Sequence, residues 1–402
     1  MSRDKKKLTF GEDLDLKAIK DWIEKKGIDV NSILTYCEER NWTFVHIAAD
    51  TSNEELLDYL LKKKANLNIN NDDWGTPLHI AVTRENIRIV KKLIDNGADI
   101  NSPRGSFVWT PLHTAIESLN NEAIKLLIDK GADVNAACDD EIRTGCTPLH
   151  LAIETNNEEI VELLVKKNVD VNAKIKLFSW PIFSASTLGN PKIIETLIRH
   201  GADINLPVED KDSPYYRFTS LLIAVIFKHR QAVKILIENG ANIDAVTDQE
   251  DTALHLAVLH PDDEIVQELL NAGIDVNKLN SENKIALDYC DDESTCELLK
   301  KHIVKLKTAG VFVHKKNFNI ILEDVKLKNL RFKCLEEIKK METTHIGVDL
   351  TFNELMNDVE SKLTASKQHY DEILMIPEST IMKKFPLYAN LLVSRLNKIV
   401  KK

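Results

Sequence analysis

Thr76-Pro77-Leu78-His79, followed by Asn86-Ile87-Arg88-Ile89-Val90-Lys91-Lys92-Leu93-Ile94 and closed by Gly97-Ala98-Asp99-Ile100-Asn101, is the stretch that decides the fold. The four-residue block returns as Thr110-Pro111-Leu112-His113 and Thr147-Pro148-Leu149-His150. Edited copies stand at Thr43-Phe44-Val45-His46, Trp180-Pro181-Ile182-Phe183, Thr219-Ser220-Leu221-Leu222 and Thr252-Ala253-Leu254-His255, with a weaker echo at Lys284-Ile285-Ala286-Leu287. Successive starts lie 33, 34, 37, 33, 39, 33 and 32 residues apart. One supersecondary unit is therefore being repeated, with enlarged connections at 101–109, 136–146 and 206–218.

Each residue of the block has a mechanical task. The Thr hydroxyl can accept a free N–H at a helix start, and Pro fits the first turn, where its missing donor costs nothing. In the run from Asn86 to Ile94, apolar residues fall three and four apart with charge on the other side, which predicts an amphipathic second helix. Gly97, Gly131, Gly201, Gly240 and Gly273 stand where that second helix ends and a left-handed residue is needed. No such unit buries its apolar face alone, so stability must come from stacking. Upstream, Asp13 to Trp22 reads as one helix, and Gly27-Ile28-Asp29-Val30-Asn31 closes a first, incomplete unit. The expectation is an all-α chain with an N-terminal extension (1–11), an array of about eight helix-pair units, the first partial (12–299), and a C-terminal helical domain (300–402). With helix layers about 10 Å apart, the array would span on the order of 80 Å.

These blocks, over roughly the first three quarters of the chain, resemble the ankyrin-repeat family. The resemblance implies a non-catalytic module that binds a protein on a concave surface made from the short first helices and the projecting fingers. Carried onto this sequence, the exposed positions around the blocks include Trp42, Gly75, Thr83, Arg84, Trp109, Glu117, Glu154, Phe218, Phe227 and His260. Trp42, Trp74, Trp109, Phe178, Trp180, Tyr215, Tyr216 and Phe218 all lie in or beside the fingers, whereas the helix runs are mostly Leu, Ile and Val. Exposed aromatics and Arg commonly anchor interfaces. Packing within their own loops is the competing reading, above all where Trp74 and Trp180 stand in the usual place of Gly. The candidate protein-binding set is Trp42, Trp74, Arg84, Trp109, Glu117, Glu154, Phe178, Tyr215, Tyr216, Phe218, Phe227 and His260.

Reactive chemistry has no comparable signal. His46, His79, His113, His150 and His255 all occupy the fourth position of the block, so their ring nitrogens are expected to bond neighbouring turn backbone and tie finger to finger. Cys290, Cys296 and His302 are spaced too widely for a closed zinc site. The six cysteines, at 37, 138, 146, 290, 296 and 334, form no C-x-x-C pair. With no apolar leader before Met1-Ser2-Arg3-Asp4, a reducing cytosol is expected. A bridge between Cys138 and Cys146 inside one inserted finger is the alternative. Phosphate loops, metalloprotease, hydrolase and kinase signatures are all missing, so no catalytic residue, metal or cofactor is expected. Apolar runs such as Leu221 to Phe227 fall far short of the roughly 20 residues of a membrane span.

Charge divides the chain. Residues 300–402 hold 20 Lys and Arg against 12 Asp and Glu, leaving 33 against 51 for residues 1–299. An acidic array repels nucleic acid and favours a protein partner with a basic or extended surface. The paired lysines of the tail, such as Lys339-Lys340 and Lys383-Lys384, read as solvated helix faces. Helical spacing recurs at 300–309, 328–342, 351–368 and 387–400, and Thr351 with Glu354 fits a capping box.

Within that tail, Cys334-Leu335-Glu336-Glu337-Ile338-Lys339-Lys340-Met341, Ile346-Gly347, Phe352-Asn353-Glu354-Leu355 and Phe385-Pro386-Leu387-Tyr388 are similar to the region called PRANC, over roughly 311–395. PRANC regions follow ankyrin arrays in poxvirus host-range proteins and in relatives from Wolbachia-like endosymbionts and parasitoid wasps. In the poxvirus proteins the last stretch resembles an F-box that docks on Skp–cullin ubiquitin ligases while the array selects the target. This chain stops at Lys402, where that pattern would continue, and Ile376-Pro377-Glu378 is its nearest, early imitation. The leading expectation is a non-catalytic binding protein that sequesters a cytosolic protein, as a host-directed effector. The alternatives are an adaptor that carries a target to a Skp-type subunit, and a structural scaffold.

Overall fold

The computed structural model describes residues 9–10, 16–36, 40–71, 73–105, 108–139, 144–175, 180–317, 325–343, 345–346, 350–351, 381, 383–390 and 392–393. The chain divides into two compact units, Met1–Asp203 and Ile204–Lys402.

The first unit opens with β1 (Thr9–Phe10) and α1 (Leu16–Glu24). Residues 13–15 of the helix expected from Asp13 lie outside the described residues, and its far end reaches Glu24 instead of Trp22. β1 runs parallel to β2 (Leu34–Tyr36), which pairs antiparallel with β3 (Arg40–Trp42), Leu34 opposite Trp42. These short strands are the only departure here from the all-helical expectation among the described residues. Five helix pairs follow: α2 (Phe44–Asp50) with α3 (Glu54–Lys62), α4 (Pro77–Thr83) with α5 (Ile87–Asp95), α6 (Pro111–Glu117) with α7 (Asn121–Asp129), α8 (Pro148–Glu154) with α9 (Glu158–Val165), and α10 (Pro181–Leu188) with α11 (Pro191–Arg199).

Helices of seven to nine residues are too short to hold themselves in water, so neighbours must supply their stability. The first helix of each pair is surrounded: α4 packs on α2, α5 and α6 and buries everything from Pro77 to Val82, leaving only Thr83 exposed. A helix buried all round shows no amphipathic pattern, which is why the second helices carry the readable periodicity. α5 buries Ile89, Val90 and Leu93, and the Asn86 side chain accepts the Ile89 N–H at 3.1 Å. Asn53, Asn120, Asn157 and Asn190 cap their helices in the same way, each bond worth about 1 kcal/mol. The tight corner between the two helices needs one left-handed residue, supplied by Ser52, Glu85, Leu119, Asn156 and Gly189 in turn.

The second unit contains α12 (Ser220–Ile226) with α13 (Arg230–Glu238) and α14 (Ala253–Leu259) with α15 (Asp263–Asn271). A 3-10 turn (Ala286–Tyr289) then stands in for a first helix beside the sixteen-residue α16 (Glu293–Thr308). The boundary expected at 299/300 falls inside α16. Repeat geometry continues beyond it: Asn277 donates to the Phe312 carbonyl at 3.1 Å and accepts the His314 N–H at 2.7 Å. α17 (Val325–Thr343) and the hairpin β4 (His345–Ile346) and β5 (Leu350–Thr351) complete the described elements. Cys334, Ile338 and Met341 of α17 form a small core with Ala309, Ile381, Phe385, Tyr388, Ala389 and Leu392. The Glu337 carboxylate accepts the Leu387 and Tyr388 N–H groups at 2.9 and 3.2 Å, and the Tyr388 hydroxyl donates to the Lys305 carbonyl at 3.0 Å. The segment expected as a helix at 351–368, most of 387–400, and Ile376-Pro377-Glu378 lie outside the described residues.

Candidate protein-binding surface

The fingers are held by the blocks that repeat. Thr76 N–H meets His79 Nδ1 at 3.1 Å, and the Thr76 hydroxyl lies 2.9 Å from the same nitrogen. A backbone N–H can only donate, so Nδ1 is the acceptor and the ring proton sits on Nε2. Nε2 then donates to the Trp109 carbonyl of the next finger at 3.0 Å. His46 reaches Gly75 at 3.2 Å, His113 reaches Cys146 at 3.3 Å, and His255 reaches Lys284 at 3.2 Å by the same geometry. For His150 the corresponding position, 179, lies outside the described residues. Burial pushes His46, His79, His113 and His150 down to about 4, so all four are neutral at physiological pH. Gly75 shows how tight the junction is: it has φ +78, and a Cβ there would lie 2.8 Å from the His79 ring.

A second ladder runs along the outer turns, and sequence reasoning missed it. The Asn68 side chain accepts the Asp99 N–H at 2.7 Å and donates to the Gly97 carbonyl at 3.3 Å. Asn101 accepts from Asp133, Asn135 from Asp170 and Asn172 from Asp203 in the first unit; Asn205 accepts from Asn242 in the second. The signal was in view: Asp and Asn two residues apart at most repeat closures, as in Asp99-Ile100-Asn101, with Asn66-Leu67-Asn68 and Asn242-Ile243-Asp244 as variants. Ion pairs at the same period also join successive units, among them Lys92 to Asp58 at 2.9 Å, Lys125 to Glu159 at 2.6 Å and Arg230 to Asp262 at 2.8 Å. Many of the acidic residues that make the array negative are thus engaged within it.

Three aromatic positions expected on the surface are buried. Trp42 is completely enclosed, stacked on His46 with ring centres 6.2 Å apart and edge-on to Trp74. Trp109 is 7% exposed and leans on His113, while its carbonyl serves His79. Phe218 is 8% exposed and edge-on to Tyr215. Its carbonyl accepts the Val208 N–H, and the Arg217 N–H returns to Val208, which closes finger 206–218 into a hairpin. The physical reason is shared by the two tryptophans: a ring laid against the block histidine screens the buried imidazole hydrogen bonds from water. Gly75 is buried as well. Cys138 and Cys146 are buried opposite each other at the neck of finger 136–146, where the Cys138 N–H donates to the Cys146 carbonyl at 2.8 Å. Phe178 lies outside the described residues.

The remaining members of the candidate set are accessible. Trp74, Arg84, Glu117, Glu154, Phe227 and His260 are exposed, and Tyr215 and Tyr216 are half-buried. Arg84 is held by Asp50 at 2.6 Å, and Phe227 is stacked on His229. Among the described residues, no group of three or more His, Cys, Asp or Glu could hold a metal ion, and no helix is long and apolar enough to cross a membrane.

The family model for ankyrin repeats (three copies) matches residues 12–104, 101–175 and 182–280. The chain belongs to the ankyrin-repeat family. It is similar to two ankyrin repeat proteins of fowlpox virus (strain NVSL). With FPV244 it shares 39% identity over 83 residues, 21% of this chain and 12% of that protein; with FPV031 it shares 30% over 153 residues, 34% and 44%. An ankyrin repeat protein of Rickettsia felis (strain ATCC VR-1525 / URRWXCal2) is 32% identical over 101 residues, 23% of this chain and 43% of that protein. The chain spans less than half the length of these relatives.

As an ankyrin protein it is a protein–protein interaction module, and its accessible row is the C-terminal end of each first helix. In the first unit the last helical residue is Asp50, Thr83, Glu117, Glu154 and, just inside α10, Thr187. The same position in the second unit is Ile226 and Leu259, each followed by an accessible residue, Phe227 and His260. Phe227 is 42% and Leu259 45% exposed.

Proposed function

We propose that this chain is a non-catalytic binding protein that takes hold of a cytosolic protein on its first-helix ends and finger tips, sequestering it as a host-directed effector. The observation that carries the reading is the row just described: the C-terminal end of the first helices, where Thr83, Glu117 and Glu154 of one unit and Leu259 and, one residue further on, Phe227 of the other are open to solvent. Glu117 and Glu154 suit a basic segment of the partner, and the exposed Phe227 supplies an aromatic anchor of the kind that dominates interface energetics. The similarity to fowlpox virus proteins supports the host-directed part of the reading.

The test is capture of partners from host cytosol with the full chain, followed by calorimetry on each purified pair. Glu117→Lys with Glu154→Lys, and separately Phe227→Ser with Leu259→Ser, are each expected to weaken the complex by about tenfold or more. Unchanged affinity in both variants, with the fold intact, refutes the first-helix row as the recognition surface. The ligase-adaptor reading rests on the tail's likeness to PRANC and predicts that a Skp-type subunit is retained by contacts within 300–402. The described part of that tail places Phe385 and Tyr388 in its core, so its adaptor contact would have to come from other residues.

A further inference from the structure

α15, α16 and α17 line a half-open cleft of about 310 Å³ in the second unit. One face of α16 lines it with Ser294, Glu297, Leu298, Lys301, His302 and Lys305, spaced alternately three residues and one residue apart as a helical stripe requires. Leu270 of α15, Leu330 of α17 and Leu387 make the apolar walls. Lys301 is answered by Glu297 on its own helix at 2.7 Å. Its two neighbours have no such direct partner among the described residues. His302 is only 8% exposed, yet its ring makes no hydrogen bond to any described residue, and the half-buried Lys305 ammonium makes neither a hydrogen bond nor an ion pair among them. The nearest acidic group of α17, Glu337, spends its oxygens on the Leu387 and Tyr388 N–H groups.

A polar group that lines a cleft without a protein partner is free to bond what enters it, and a good partner there strengthens binding. His46, His79, His113 and His255, by contrast, each bond a carbonyl of the next finger through Nε2. Burial lowers both groups, His302 to about 4 with the Lys305 charge beside it adding to the effect, and Lys305 in spite of the Glu337 carboxylate that partly offsets the loss of water. A ligand with one negative charge would satisfy the Lys305 ammonium and accept from the imidazole N–H. A dianion would leave half its charge desolvated against leucine, which is unfavourable.

We propose that this cleft binds a small carboxylate with an aliphatic body, its head taken by Lys305 and His302 and its chain by Leu270, Leu298, Leu330 and Leu387. The chemistry is shared by a free aliphatic carboxylate and by a peptide C-terminus ending in leucine. Octanoate, octan-1-ol, inorganic phosphate and acetyl-Ala-Ala-Leu as acid and as amide serve as probes. Each is titrated into the full chain by calorimetry, with the His302 ring followed by NMR. Octanoate is expected to bind saturably and move the His302 resonance, with octan-1-ol weaker by about tenfold or more and phosphate weaker still. Lys305→Met, which keeps the alkyl stem, is expected to lose about tenfold in octanoate affinity while melting as the wild type does. Tighter binding of the peptide acid than of octanoate, with loss in its amide, assigns the site to a chain terminus; the reverse order assigns it to free carboxylates. Equal affinity for octanoate and octan-1-ol overturns the proposal, because the cleft would then be merely apolar. An unmoved His302 resonance in the wild type overturns it too, independently of whether the Lys305 variant folds.

Discussion

The two units build the same corner from different residues. In residues 1–203 four of the five first helices end on Asp50, Thr83, Glu117 and Glu154 and the fifth on Leu188, while in residues 204–402 they end on Ile226 and Leu259 with Phe227 close by. Below that rim the two are alike: Thr–His caps bind the next finger, and Asn side chains zip turn to turn. The difference teaches where an ankyrin array has freedom. Positions that face a neighbouring repeat are fixed by packing and hydrogen bonding, and the helix end that faces water is left for recognition to choose.

The largest effect should separate buried fingers from the open rim. Trp42→Ala or Trp109→Ala is expected to cost about 3–5 kcal/mol by chemical denaturation, as for other buried tryptophans, against less than about 1 kcal/mol for Phe227→Ala. The joint replacement of Trp109, Tyr216 and Phe218 by Ala should therefore unfold the chain locally before it tests any interface. A Trp109→Ala protein as stable as the wild type would erase the distinction between the two classes of aromatic.

Acid should separate the units. His46, His79, His113 and His150 are held at about 4 in the folded first unit and return to about 6.5 when unfolded. The unfolded chain then binds more protons, so stability is complete above about 6.5 and falls as pH drops towards 4, by up to about 1.4 kcal/mol per pH unit for each histidine. The second unit has His302 at about 4 and the less buried, more modestly lowered His255. Hydrogen exchange between pH 7 and 4.5 should show the first unit losing protection sooner; simultaneous loss in both would contradict the burial argument.

The ladder should not distinguish the units at all. Asn68→Ala and Asn205→Ala each remove a side chain that accepts one N–H and donates to one carbonyl, and each is expected to cost about 1 kcal/mol. Unequal losses well beyond that figure would mean that the shared scaffold is not shared. The smallest effect is a gain. Leu119 sits at φ 55, 58% exposed, where another corner has Gly189 at φ 74, so Leu119→Gly is expected to stabilise by about 0.5–1 kcal/mol in thermal melting. Destabilisation would show that the exposed leucine packs on something.

Much of this was legible in the chain alone. The repeat period, the Thr–Pro helix starts, the terminal glycines and the task of the block histidines all depend on contacts that recur with the sequence, so the pattern announces them. The Asp–Asn ladder was equally periodic and was overlooked because each of its residues reads singly as an ordinary turn former. The aromatics were misplaced for a different reason: Trp42, Trp109 and Phe218 occur once each, in fingers of unequal length, and no period says which side of a loop a ring will take.

What the sequence determined by itself is therefore the unit and its repetition, since a helix pair that cannot bury its own face dictates a neighbour like itself. Only the tertiary structure decided which residues remain outside. Burial is a property of the space between repeats. It enclosed Trp42, left Phe227 in solvent, carried the turn ladder past the expected boundary to His314, and put His302 against a cleft with no hydrogen bond from its ring to any described residue.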